Sequence, residues 1–214
     1  MEKFFNAELQ DQLKEILSQM VHDVHLVLFT DSKGCATCDE TKQLLAEFEA
    51  LIAKVHVEYK DINQDAKLAQ QYAITMTPSF VVLDAKKQYK GVKFNGLPAG
   101  HEINSFIGAL IEMSGFEVEI PDAIVKRIKA INKPVNIKVF VTLSCPHCPG
   151  AVQTAHRLAM LNPLIQGEMI EANTFKALSM KHKVSGVPKI IINDHYELVG
   201  NQPVEAFLKE IEKI

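Results

Sequence analysis

Two pairs of cysteines, Cys35/Cys38 and Cys145/Cys148, hold all four cysteines of the chain. Two thiols three residues apart are poor staples. The loop they close is so short that chain entropy alone is worth only about 2 kcal/mol. Disulfide-stapled secreted scaffolds carry more bridges, at wider spacing, in shorter chains. The pattern fits thiol–disulfide chemistry better: one thiolate attacks a disulfide and the second resolves the mixed disulfide that forms.

That chemistry needs the first thiol ionised. Each first cysteine is expected between a strand and a helix, at the helix N-terminus, where free amides and the helix dipole stabilise a negative sulfur. Cys35 and Cys145 are therefore the expected attacking thiols. Cys38 and Cys148, one turn further on and less exposed, are the expected resolving thiols. The intervening residues differ. Ala36-Thr37 carries no ionisable group, whereas Pro146-His147 sets a proline in the expected first helical turn and an imidazole beside it. His147, protonated or donating a hydrogen bond, would favour the Cys145 thiolate; a merely solvated side chain is the alternative. Lys33 is a weaker candidate near Cys35, with water its alternative partner.

The chain repeats itself at an offset of 110 residues. The offset carries Cys35 onto Cys145, Cys38 onto Cys148 and Pro78 onto Pro188. It also carries Asp61-Ile62-Asn63 onto Glu171-Ala172-Asn173, and Phe80-Val81-Val82 onto Ile190-Ile191-Ile192. Apolar periodicity then predicts matching elements. In the first half these are a helix from Leu9 to Met20, a strand His25 to Phe29, and a helix from Cys35 to Leu51. A strand Val55 to Tyr59, a helix Asp65 to Tyr72, strands Ser79 to Leu83 and Lys90 to Phe94, and a helix Glu102 to Met113 follow. The second half reads as a helix Ala123 to Ile131, a strand Asn136 to Val141, a helix Ala151 to Leu161 and a short strand Glu168 to Glu171. A helix Phe175 to His182, a hairpin of Lys189 to Ile192 with Tyr196 to Val199, and a helix Val204 to Ile214 complete it. Strand–helix–strand units favour parallel pairing, and the terminal hairpins add antiparallel strands. The expected class is α/β: two tandem modules, residues 1–116 and 117–214, each a mixed sheet flanked by helices, closely packed or fused. Pro78 and Pro188 each stand just before a buried strand, where a missing donor is tolerated.

Composition sets the outer bounds. The 214 residues are 47% hydrophobic and 23% charged with formal charge −3, an ordinary globular balance that gives nucleic acid no basic surface. No apolar run approaches eighteen residues, and Met1 to Met20 lacks the basic start and apolar centre of a leader, so no membrane is expected and a cytoplasmic location is. His22, His25 and His56 form no ligand spacing and are expected at the surface or at strand edges.

A C-x-x-C followed 40 residues later by Thr-Pro or Val-Pro, in this element order, resembles the thioredoxin fold. The carriers are Cys35-Ala36-Thr37-Cys38 with Met76-Thr77-Pro78, and Cys145-Pro146-His147-Cys148 with Gly186-Val187-Pro188. Two such units resemble the protein disulfide oxidoreductases of thermophilic archaea and bacteria, glutaredoxin-like proteins of two modules. The resemblance implies cis Pro78 and Pro188 facing the cysteine pairs, and substrate backbone contacts at Thr77 and Val187. It also implies fused sheets, a more active C-terminal pair, protein thiols and disulfides as partners, a thioredoxin-reductase-like flavoprotein as electron donor, and no bound cofactor. Many members have Cys-Pro-Tyr-Cys, whereas Cys145-Pro146-His147-Cys148 is similar to the periplasmic thiol oxidases. Thioredoxin's Trp-Cys-Gly-Pro-Cys is missing; the chain has no tryptophan.

Three other readings compete. One is an electron-transfer module of a peroxide-reducing system, where a duplicated domain keeps only one active pair; two intact pairs argue against it. The second is a metal-binding protein with one zinc on all four cysteines, which requires facing sites or a dimer. The third is a scaffold with inert cysteines.

Overall fold

The computed structural model describes residues 3–214. The first module runs α1 (Ala7–Leu17), β1 (Val24–Thr30), α2 (Cys38–Leu51), β2 (Val55–Asp61), α3 (Ala66–Gln71), β3 (Ser79–Leu83), β4 (Tyr89–Asn95), a 3₁₀ turn (Gly100–Glu102) and α4 (Ile103–Met113). The second runs α5 (Asp122–Ala130), β5 (Val135–Val141), α6 (Cys148–Leu161), β6 (Ile165–Glu171), α7 (Lys176–Lys181), β7 (Lys189–Ile192), β8 (Tyr196–Val199) and α8 (Val204–Ile211). The expected order is present in both. Differences lie at ends. Asn6 caps α1 by accepting from the Leu9 amide, and α1 stops at Leu17 rather than Met20, although Met20 is buried. β6 starts at Ile165, three residues before the expected Glu168.

The sheets are fused. All eight strands form one sheet in the order β2-β1-β3-β4-β6-β5-β7-β8. β4 lies parallel to β6, with Val92 opposite Gly167 and Asn95 opposite Ile170. Close approach at this seam depends on glycine. Gly91 has φ +77°, and a Cβ there would fall 2.3 Å from the Ile165 carbonyl oxygen. On the adjoining face α6 lies so near β6 that a Cβ on Gly167 would be 2.6 Å from the Ala155 carbonyl oxygen.

One core crosses the seam. Phe106 of α4 meets Phe48, Phe80 and Phe94 edge-on at 4.9–5.6 Å, and Phe94 in turn meets His156 of α6 at 4.8 Å. Arg157 of α6 grips both carboxylate oxygens of Glu112 on α4 at 2.7–2.9 Å. A buried polar cluster lies at the seam as well. Lys93 Nζ is 3.8 Å from Glu168 Oε2 and donates to the Ala73 carbonyl at 2.8 Å. Asn95 and Asn136 both donate to Glu168. Burial pulls the Lys93 ammonium below its ordinary value, against the opposing pull of Glu168.

Strand directions settle where the cysteines lie. β1 is antiparallel to β3, β3 to β4, and β4 is parallel to β6 and β6 to β5. Hence β1 and β5 run the same way, and both cysteine segments leave the same rim of the sheet. Four strand intervals separate them, about 19 Å at the usual ~4.8 Å spacing.

Candidate redox site

Each cysteine segment follows the central strand of its module. Thr142 and Cys145 close a turn at the end of β5, the Cys145 amide donating to the Thr142 carbonyl at 3.1 Å. In the first module Asp31 shapes the longer loop by accepting from the Lys33 amide at 2.8 Å. Both pairs are disulfide-bonded, with Cα atoms 5.5 Å apart.

The expected helix start requires correction. α2 and α6 begin at Cys38 and Cys148, the second cysteines, with Thr37 and His147 as caps. Cys35 and Cys145 stand in the turn ahead of each helix. The first α-type bond in α2 runs from the Thr41 amide to the Thr37 carbonyl, so the helical ladder cannot extend back to Cys35. The proline of the first helical turn is correspondingly Pro149, not Pro146. The order of exposure is as expected within each pair: Cys35 is half-buried and Cys38 buried, while Cys145 is 8% exposed and Cys148 0%.

The Thr77–Pro78 and Val187–Pro188 bonds are cis, and both prolines are buried. The Val187 carbonyl oxygen lies 3.8 Å from Cys145 Sγ, which brings the second module's proline loop against its cysteines. Thr77 and Val187 are half-buried. Different residues anchor the two loops. Ser79 Oγ, just after Pro78, lies 2.7 Å from the Met76 carbonyl and 2.8 Å from Asn95 Oδ1. Lys189, just after Pro188, donates to the His182 carbonyl at 2.8 Å and pairs with Glu197 at 3.0 Å. His147 and Lys33 are both exposed.

Several neighbours were not anticipated. The first turn of α2 carries Asp39 and Glu40, whereas that of α6 carries no acid. Thr37 Oγ1 is buried without a partner between the first two cysteines. Glu102 is wholly buried, and its Oε1 has no partner while Oε2 accepts from Ser105. Burial pushes its carboxyl up to about 7, against the Ser105 hydrogen bond. Its segment is pinned to the loop that leads into Cys145: the His101 amide donates to the Leu143 carbonyl at 2.9 Å. A signal existed in the sequence. Glu102 stands in register with Phe106, Ala109, Leu110 and Met113, an acid within an apolar helical stripe.

Among the described residues no group of three or more His, Cys, Asp or Glu side chains is arranged to hold a metal. The rim spacing also defeats the single-zinc reading within one chain. Zinc–sulfur bonds of about 2.3 Å cannot span the roughly 19 Å between the pairs.

The geometry agrees with known proteins. The thioredoxin domain family matches residues 135–213. A structure of the alkylhydroperoxide reductase AhpF of Enterococcus faecalis superposes with TM-score 0.92 at 29% identity, covering 98% of this chain and 100% of that one. A protein disulfide oxidoreductase from Aeropyrum pernix superposes with TM-score 0.88 at 28% identity, covering 97% of this chain and 92% of that one. The corresponding alkyl hydroperoxide reductase protein of Staphylococcus epidermidis is 29% identical over 208 residues, 96% of this chain. The chain spans 37% of the length of that relative. Two thioredoxin folds in tandem, each with a redox-active C-x-x-C disulfide, thus make up this chain. No helix among the described residues is long and apolar enough to cross a membrane.

Proposed function

We propose that the chain is a dithiol–disulfide oxidoreductase acting on protein disulfides, with modules at residues 1–116 and 117–214. The observation that carries this is the Cys145/Cys148 pair with the Val187 carbonyl 3.8 Å from Cys145 Sγ, just before Pro188; the first module has the same parts, a Cys35/Cys38 disulfide and a cis Thr77–Pro78 bond. In the reducing direction the Cys145 thiolate attacks a partner disulfide, forming a mixed disulfide and expelling one partner thiolate. Cys148 then attacks Cys145 Sγ, releases the second partner thiolate and leaves the Cys145–Cys148 disulfide. Two electrons and two protons pass to the partner; run backward, the same steps oxidise a dithiol. His147 supports the thiolate, and Thr77 and Val187 offer backbone to an extended substrate segment. A thioredoxin-reductase-like flavoprotein re-reduces the pairs.

Cys145 carries the larger share. Cys145→Ser should remove most insulin-disulfide reduction, and Cys35→Ser should remove less. Equal losses, or a larger loss from Cys35→Ser, would reverse the assignment.

A second reading has its own support: the likeness to the staphylococcal alkyl hydroperoxide reductase protein covers nearly this whole chain and only 37% of that relative. In that reading the chain relays electrons from a flavoprotein to a peroxidase. Turnover with a peroxidase and flavoprotein reductase, without insulin reduction, would favour the relay.

A further inference from the structure

The fused sheet leaves two unlike edges. β4 and β8 are equivalent strands of the two modules, as are β2 and β6. Inside the chain a β4-type edge joins a β6-type edge in parallel. At the ends of the sheet stand β2, of the β6 type, and β8, of the β4 type. The molecule therefore presents at its two extremities, by position in the module, the kinds of edge that it joins in its middle. If β8 of one copy added to β2 of the next, the contact would be head-to-tail and could repeat without closing.

Two carboxylates occupy the β2 edge. The Val57 amide donates to Glu49 Oε1 at 2.8 Å, and the Asp61 amide donates to Asp65 Oδ2 at 3.0 Å. Strand alternation turns the amides of Val57, Tyr59 and Asp61 to one side, so two of these three are taken by side chains. The second module shows what an edge in use looks like. At the 110-residue offset Ala159 replaces Glu49 and Phe175 replaces Asp65. Neither can accept an amide hydrogen bond, and there β4 covers the edge. A Cβ on Gly91 would lie 3.1 Å from Ala159 Cβ, and one on Gly96 would lie 3.6 Å from Phe175 Cε2, so both replacements sit at the seam itself. The carboxylates are present where the edge is open and gone where it is covered.

We propose that β2 is a latent strand-addition site for β8 of a second copy of this chain, held shut by Glu49 and Asp65. The partner is set by the β4–β6 seam, whose pairing the contact would repeat. The carboxylates satisfy the amides that an incoming strand needs, and an incoming carbonyl oxygen would meet their negative charge.

The test is sedimentation velocity on the full oxidised chain across a concentration series, with hydrogen exchange of β2 and β8 on the same samples. The wild type should keep one mass. Glu49→Ala/Asp65→Ala should associate, reaching at least twice the wild-type mass at the top of the series, with residues 55–61 and 196–199 gaining protection together. Glu49→Gln/Asp65→Asn retains acceptor oxygens and should associate less than the alanine variant. Glu49→Ala alone makes the same test if the double variant unfolds, and circular dichroism monitors that. An alanine variant that folds and stays at the wild-type mass overturns the proposal. So does association that leaves either strand unprotected, or a wild type that already associates through β2.

Discussion

Asp39 and Glu40 beside one cysteine pair, and Pro149-Gly150 in the same places beside the other, give the two sites different electrostatics. Negative charge near Cys35 would disfavour its thiolate, and the proposed role of His147 acts in the opposite sense at Cys145. A destabilised thiolate means a destabilised dithiol and a more reducing couple. The Cys145/Cys148 couple should therefore be the more oxidising by some tens of millivolts, with about 30 mV for each ~1.4 kcal/mol. Glutathione-buffer titration of Cys35→Ser/Cys38→Ser and Cys145→Ser/Cys148→Ser measures each couple alone. Asp39→Asn/Glu40→Gln should raise the first potential, and His147→Ala should lower the second. Because these side chains are partly or fully exposed, both shifts should shrink with added salt. A first couple equal to or more oxidising than the second would refute the argument. Two buried groups make a second residue-scale prediction. Glu102 is raised from 4.5 to about 7, so the folded chain binds more protons and loses stability as pH rises through that range. His156 is lowered from 6.5 to about 4, chiefly by burial, so the folded chain binds fewer protons and gains stability as pH rises from 4 to 6.5. Each amounts to about 3 kcal/mol, and the two largely cancel. Urea unfolding of Glu102→Gln should show its stability relative to wild type improving by roughly this amount between pH 4.5 and 7.5. His156→Phe should worsen relative to wild type over the same range. Curves parallel to wild type would show that neither group titrates this way.

At the scale of elements, β4 and β6 are held by a glycine approach and by Lys93 and Asn95 against Glu168, which Asn136 of β5 holds from the other side. A buried ion pair adds little over a well-packed apolar pair, yet losing one partner leaves a charge unpaired. Glu168→Ala should therefore cost about 3–5 kcal/mol, whereas Lys93→Met/Glu168→Met should cost clearly less. Chemical denaturation of the single and double variants checks this. A double variant as unstable as the single would mean that hydrogen bonds from Asn95 and Asn136, not charge, hold the seam.

The whole molecule sets two redox centres on one rim, after strands that lie four intervals, about 19 Å, apart. A disulfide needs Cα atoms within about 7 Å, so the two pairs cannot exchange directly inside one chain. In Cys38→Ser/Cys148→Ser, mild oxidation should yield no Cys35–Cys145 bridge within a monomer, as read by peptide mapping. Finding that bridge in dilute protein would show that the modules move apart from the fused arrangement.

What the sequence determined by itself is local or periodic. Cysteine spacing, strand and helix periods and the 110-residue offset are short-range or one-dimensional patterns, and they carried the element order, the two cysteine pairs and the two prolines. They also misplaced the helix starts, since nothing in Cys-Ala-Thr-Cys or Cys-Pro-His-Cys shows which carbonyl accepts the first helical bond. The tertiary structure decided everything that depends on residues distant in the chain. Gly91 is an ordinary turn glycine until Ile165 is set against it. Glu102 is an acid near a helix start until its turn packs on α6 and removes its water. Glu49 is a polar residue late in a helix until the β2 edge is known to be open. The physical reason is common to all three: burial and the loss of hydrogen-bonding partners belong to the packed surfaces, and a sequence lists residues without saying which surfaces meet.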